Sequence, residues 1–230
     1  GDGCIGALAS ADFDITLKGH MGRCNLWNTR DTGKPTPFPR CPWALDLSDK
    51  PFPGRGEAAG QYAEKGLKSL GVWFWESGFD HDPIKNREYI RDWNFRAMYG
   101  AWDALKNVDK CYPTRVLNWA AHISGPRESR RLLGPVVLTE EDVMTNREFP
   151  DGCIMTGWSI DLHYPKEPFN KGFEGDAFIS YADHKRPKHT HWMPYRMLYS
   201  RNIENLFMAG RDASVAWNPG SGEKSQLAAR

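Results

Sequence analysis

The chain has 230 residues, enough to bury a sizeable core as one large domain or two small ones. Its 30 basic and 29 acidic side chains nearly cancel, so neither nucleic acid nor an anionic membrane is an expected partner, and no run of about 18 apolar residues offers a transmembrane helix. Five cysteines (Cys4, Cys24, Cys41, Cys111 and Cys153) lie far apart with no CxxC pair and an odd total, which indicates neither a zinc site nor a complete disulfide set.

The chain opens on Gly1-Asp2-Gly3 and then Cys4 to Ala11, a glycine turn leading into a helix of small residues. Backbone N–H groups at such a start attract an anion or the edge of a cofactor; the alternative is an ordinary terminal turn. The N-terminus is not Met and lacks the basic flank of a secretory signal, so the expectation is a chain cut from something longer. From Asp14 to about Gly60, prolines at 35, 37, 39, 42, 51 and 53 exclude a central strand. They predict an ordered extended insertion, held by Trp27, Phe38, Trp43 and Phe52 and placed to cover a pocket.

Leu70 to Glu76 alternates as a strand, with Val72, Phe74 and Glu76 on one face and Trp73 and Trp75 on the other. Asp82 then predicts an N-cap, with Pro83 at the first helical position. The helix is expected to run to about Asn107, burying a stripe of Phe95, Met98, Trp102 and Leu105, with Arg87, Glu88, Arg91 and Asp92 on its solvated face. Gly100 inside it costs about 1 kcal/mol relative to Ala, which a close helix or ligand contact would explain.

Val116 to Ile123 reads as a strand feeding Arg127-Glu128-Ser129-Arg130-Arg131. Three arginines in five positions form either a surface patch or a set in which one is aimed at a carboxylate, a phosphate or a flavin carbonyl. Val136 to Leu138 reads as a strand, and Thr139 as the N-cap of a helix whose first turn carries Glu140, Glu141 and Asp142. Cys153 to His163 reads as a strand interrupted at Gly157, with Asp161 and His163 sharing one face. A His held by a nearby acid is a workable general base near neutral pH; the alternative is a hydrogen-bonded structural His. From Tyr164 to Thr190 the chain turns polar, and His184, His189 and His191 in a Lys-rich loop lack the spacing of a metal site, so no metal is expected. Leu206 to Ala209 then reads as a buried parallel strand stopped at Gly210, with Arg211 and Asp212 next in line.

Taken together, Gly1 to Gly3, RESRRLLG (127–134) with VVLTEEDV, WSIDLHYP (158–165) and PYRMLYSRNIENLFMAGRDAS (194–214) resemble the bacterial FAD-dependent oxidoreductase family of the glutathione-reductase-like flavoprotein superfamily. The resemblance spans the chain up to Val215. It implies an α/β fold with an α+β substrate region: a partial FAD/NAD(P)-binding Rossmann-like fold carrying an inserted mixed α/β substrate domain. On it, residues 1–13 are a remnant of the FAD-binding domain, 14–200 the substrate domain, 201–215 the returning FAD-binding strand and turn, and 216–230 a divergent tail. The first dinucleotide-binding half, with its G-x-G-x-x-G turn, is expected to lie outside this chain. In the tail, Pro219, Gly220 and Gly222 stand where a small-residue helix is expected, which suggests a fragment or a reading frame lost after Val215.

The same resemblance implies FAD as cofactor, contacted by Gly1, Asp2, Gly3, Gly210, Arg211, Asp212 and Ser214. The implied chemistry is hydride transfer between an oxygen-rich small molecule, with a carbohydrate-like one among the options, and flavin N5. His163 oriented by Asp161 would take the hydroxyl proton, and Arg127 or Arg196 would anchor the substrate. Two rival readings are a non-catalytic carbohydrate-binding or structural domain, suggested by ten tryptophans, and a metal-dependent hydrolase using Asp80, His81, Asp82 and the histidine loop.

Overall fold

The computed structural model describes residues 3–15, 17, 20–55, 66–72, 75–127, 129–166, 175–218 and 225–226. Among the described residues three α-helices, α1 (Cys4–Leu8), α2 (Arg87–Asp103) and α3 (Glu140–Met144), are joined by short strands. These are β1 (Phe13–Asp14), β2 (Arg23–Cys24), β3 (Trp27–Asp31), β4 (Glu76–Ser77), β5 (Arg115–Ala120), β6 (Arg131–Leu132), β7 (Gly152–Thr156), β8 (Ile160–Pro165), β9 (Ser180–Lys185), β10 (His191–Pro194), β11 (Trp217–Asn218) and β12 (Ser225–Gln226). Among the described residues the strands pair in twos, all antiparallel: β1 with β6, β2 with β4, β3 with β5, β7 with β10, β8 with β9 and β11 with β12. The fold is therefore mixed α/β, built from small sheets and few helices.

The central helix follows from its sequence with one shift. Asp82 does cap, its Oδ1 accepting from the backbone N–H groups of Ile84 (2.8 Å) and Lys85 (3.1 Å), but it caps a turn over 83–86, and regular helix begins at Arg87. Met98, Trp102 and Leu105 are buried as the stripe requires, and Phe95 packs half-buried against the same core. The helix ends in a widened π turn over Ala104–Val108, where Lys106 Nζ donates to the carbonyls of Tyr112, Pro113 and Arg115 at 2.9–3.0 Å. Gly100 has a backbone neighbour: a Cβ there would lie 2.1 Å from the Leu45 carbonyl oxygen.

The proline-rich stretch is ordered where described, as expected. Phe52 and Trp27 are buried, Phe38 packs half-buried on the same core, and Trp43 stays largely exposed against Tyr99, with ring centroids 4.8 Å apart. Arg55 ties the segment down, donating to the carbonyls of Leu47, Ser48 and Lys50 and to both oxygens of Asp109. The main core thus gathers around α2, with Trp27, Leu47, Phe52, Trp75, Phe178 and Ile179. A second core joins Leu138, Val143, Ile160, Leu162, Met197, Ala213 and Val215.

Four expectations are corrected. Val136 to Leu138 is no strand; Leu138 makes one isolated parallel bridge, to Val215. Leu206 to Ala209 is not a buried parallel strand: Phe207 is 64% exposed, its bridge to Tyr199 is antiparallel, and Met208 is the buried member of the run. Among the described residues the run has no flanking strands to bury both its faces, so Phe207 rests on Tyr195 and Tyr199 while Met208 and Leu206 pack with Ala11 and Leu132. The polar stretch after Tyr164 contains strand β9, which pairs with β8 over its full length. Of the strand expected over Leu70 to Glu76, only its end, Glu76–Ser77, forms among the described residues, and Trp73 and Phe74 lie outside them. The capped start of α3 is present as expected, with a reciprocal capping box between Thr139 and Asp142.

Candidate active site

Strand alternation builds the site. On β8, Ile160 and Leu162 enter the second core, which turns Asp161 and His163 to the opposite face. Directly across the ladder, His184 opposes Asp161 and Ala182 opposes His163. The β2/β4 ribbon works the same way. Arg23 and Ser77 are partners on one face, and there Ser77 Oγ and Asn94 Oδ1 of α2 meet at 2.6 Å. Cys24 and Glu76, the other register pair, line a cavity of about 460 Å3 together with Asp161, His163, Ala182 and His184. Gly125, Pro126 and Arg127 from the loop before β6, Trp158 and Arg211 complete its wall. That volume falls in the range of small-molecule sites.

His163 is the centre of a buried polar network. Its Nδ1 lies 2.8 Å from Glu76 Oε2, which also accepts from Ser180 Oγ at 2.5 Å. Its Nε2 lies 3.2 Å from Arg127 Nη1 and 3.3 Å from Asp161 Oδ1. Arg127 Nη2 donates to Asp161 Oδ2 at 2.7 Å, and His184 Nδ1 lies 3.5 Å from Asp161 Oδ1. Burial alone would lower the His163 pKa, but the bonds to Asp161 and Glu76 outweigh it and leave the imidazole more basic than usual. Burial likewise works against the Asp161 carboxylate, and His163 and Arg127 overcome it, holding the group well below the ordinary carboxylate range. Burial, with Glu76 adding to it, pushes the Cys24 thiol up to about 11, so the cavity's sulfur is protonated at neutral pH.

The residues expected at the site divide. Arg127, Asp161 and His163 converge on the cavity, and Arg211 joins its wall, donating from Nη1 to the Pro126 carbonyl at 2.8 Å. Arg196 does not line it; its Nε and Nη2 donate to the two oxygens of Asp151 at 2.9 and 2.8 Å. The other arginines of the cluster are engaged elsewhere: Arg130 forms an ion pair with Asp82 at 3.5 Å, and Arg131 donates to the carbonyls of Val215 and Ala216. Asp161 is not the acid that holds the far side of the imidazole, since Glu76 takes Nδ1. Glu76, Cys24 and Trp158 were not anticipated as site residues. The signal for Glu76 was a carboxylate on the inward face of an aromatic strand.

Gly1 and Asp2 lie outside the described residues. Residues 1–6, GDGCIG, do carry the letters G-x-G-x-x-G, which corrects the expectation that no such turn belongs to the chain. Gly3 is left-handed (φ 70°) and opens α1, but that helix has five residues, and Gly3 packs on the Arg130 carbonyl and Gly6 on Leu132. Within the described residues the five-residue helix is followed, not preceded, by the two-residue strand β1, so these residues do not by themselves display the strand–turn–helix unit that cradles a dinucleotide. Around Gly210 the residues suit the ring end of a flavin better. Gly210 adopts φ 59° with open space where a Cβ would stand, Arg211 reaches the cavity wall, and the buried Ser214 hydroxyl has no hydrogen-bond partner among the described residues. Asp212 follows in the same short 3-10 turn. Among the described residues no group of three or more His, Cys, Asp or Glu side chains is placed to hold a metal ion.

No curated protein and no solved structure matches the chain. A family model does, that of the FAD dependent oxidoreductases, over residues 25–217. That range takes in every residue lining the cavity except Cys24. The chain belongs to the FAD-dependent oxidoreductase family, and its cofactor is FAD.

Proposed function

We propose that this chain provides the substrate side of a two-part flavoenzyme of the glutathione-reductase-like type and that its cavity oxidises a hydroxyl-bearing small molecule. The convergence of Arg127, Asp161 and His163, distant in sequence, on one cavity carries this reading. When bound, FAD supplies the two-electron acceptor for a hydride. Gly210, Arg211 and Ser214 would hold its ring end, with Asp212 in the same turn and Gly3 contributing from the N-terminal turn. The nucleotide end belongs to a dinucleotide-binding unit that the described residues do not contain.

The chain's own residues handle the proton and the placement. His163 lines the cavity, and its Nε2, beside Arg127, takes the hydroxyl proton. Arg127, anchored to Asp161 through Nη2, orients a substrate oxygen, and Trp158 on the rim, 53% exposed, offers a flat face for a sugar-like ring. An oxygen-rich substrate suits a wall that mixes two arginines, two histidines and an indole.

The test is the reductive half-reaction of the FAD-loaded enzyme bearing His163→Gln. Removing a general base costs about 10²–10⁴-fold in the rate of flavin bleaching. An unchanged bleaching rate would remove His163 from the mechanism.

A further inference from the structure

Glu76 is 1% exposed, and among the described residues His163 is its ion-pair partner. Its Oε2 accepts from Ser180 Oγ at 2.5 Å and lies 2.8 Å from His163 Nδ1. A ring nitrogen's lone pair set against a buried carboxylate at that distance is repulsive, so Nδ1 must carry hydrogen whether the ring is neutral or charged. Nε2 then has two exclusive options. As a lone pair it accepts from Arg127 Nη1 at 3.2 Å; as N–H it would donate to Asp161 Oδ1, which lies 3.3 Å away and has no hydrogen-bond partner among the described residues in the present arrangement.

We infer that Glu76, backed by Ser180, is the positioning residue that fixes His163 as the Nδ1–H tautomer, so that Nε2 receives the substrate proton and then changes partner from Arg127 to Asp161. The inference rests on His163 being the base. The proton balance is closed: the substrate O–H bond breaks, an Nε2–H bond forms, Nδ1 keeps its hydrogen, and Glu76 stays a carboxylate. The exchange also frees Arg127 Nη1 at the moment the substrate oxygen gains negative character, so the same guanidinium can turn to that oxygen.

The groups facing the ring agree with this. Glu76 comes from β4, Asp161 from β8 itself and Arg127 from the loop before β6; His184 on β9 reaches Asp161 rather than the ring. Cys24, the cross-strand partner of Glu76 on β2, is a neutral thiol and adds no charge. Ser180, on β9, supplies a donor to the Glu76 oxygen that His163 also uses.

Long-range ¹H–¹⁵N spectra of the histidine-labelled 230-residue chain test this without turnover. The expected wild-type result is a neutral His163 protonated on Nδ1. Glu76→Gln should lose that fixed tautomer and lower the titration midpoint of His163 by about one pH unit, a tenfold loss of proton affinity. Asp161→Asn should lower the midpoint while keeping the tautomer, and Ser180→Ala, which retains the carboxylate, should keep the tautomer as well. A neutral wild-type ring protonated on Nε2, or a midpoint unmoved in Glu76→Gln, overturns the inference. If Glu76→Gln does not fold, the wild-type tautomer alone still decides it. Because the spectra read the Glu76–His163 contact directly, their failure is distinct from an unchanged bleaching rate in His163→Gln.

Discussion

His163 shows how neighbours outweigh burial. It is 6% exposed, and desolvation by itself would make the ring harder to charge, yet two carboxylates on opposite nitrogens make it easier. The sign for stability follows. A base whose folded pKa lies above its ordinary 6.5 stabilises the fold fully below that pH, and the contribution disappears as pH rises through the raised folded value. The difference in thermal midpoint between wild type and His163→Gln should therefore be largest near pH 6 and shrink on going to alkaline pH, as followed by circular dichroism. A difference that grows with pH would contradict the assignment of the proton. The pair Asp161 and His163 was legible in the sequence because i, i+2 residues on a strand share a face. Glu76 was not, since 87 residues separate it from the ring it touches.

Helix α2 makes the corresponding point for an element. Its apolar spacing was readable, and so was the Asp82 cap just ahead of it, which closes the turn leading into the helix, because both depend on contacts within about one turn of chain. The reason for Gly100 was not, because the group that demands it, the Leu45 carbonyl, comes from the proline-rich segment. Propensity alone says that Gly100→Ala gains about 1 kcal/mol. A Cβ placed 2.1 Å from a carbonyl oxygen forces helix and segment apart, so the expected outcome is a lower denaturant midpoint instead. A raised midpoint would mean that the Leu45 backbone yields. Strand β9 gives the converse case: a stretch that reads as polar loop becomes a strand because β8 beside it offers a full ladder, and that ladder carries His184 to Asp161.

For the whole molecule, two of the apolar cores each supply part of the cavity's support. The α2 core carries the β2/β4 ribbon against Asn94, and the second core anchors Ile160 and Leu162 behind the site strand. FAD binding by this assembly has a measurable consequence. The flavin-facing residues of the proposal all address the ring end, so the chain should bind riboflavin and FAD with similar affinity, read by quenching of flavin fluorescence. Binding of FAD tighter than riboflavin by 100-fold or more, about 2.7 kcal/mol, would show that these residues also hold the adenosine half.

By itself the sequence determined what depends on short range and on recognisable blocks: the helix stripe, the capped start of α3, the shared face of Asp161 and His163, and membership of a flavin-dependent family. Tertiary structure decided which arginine serves the cavity, since Arg127 meets Asp161 while Arg196 is taken up by Asp151. It also decided that the segment ahead of Gly210 buries Met208 but leaves Phe207 exposed, rather than lying inside a parallel sheet. The physical reason is the same in each case. A side chain's charge state and a strand's burial are set by whatever packs against them, and those partners, Glu76 above all, come from far along the chain.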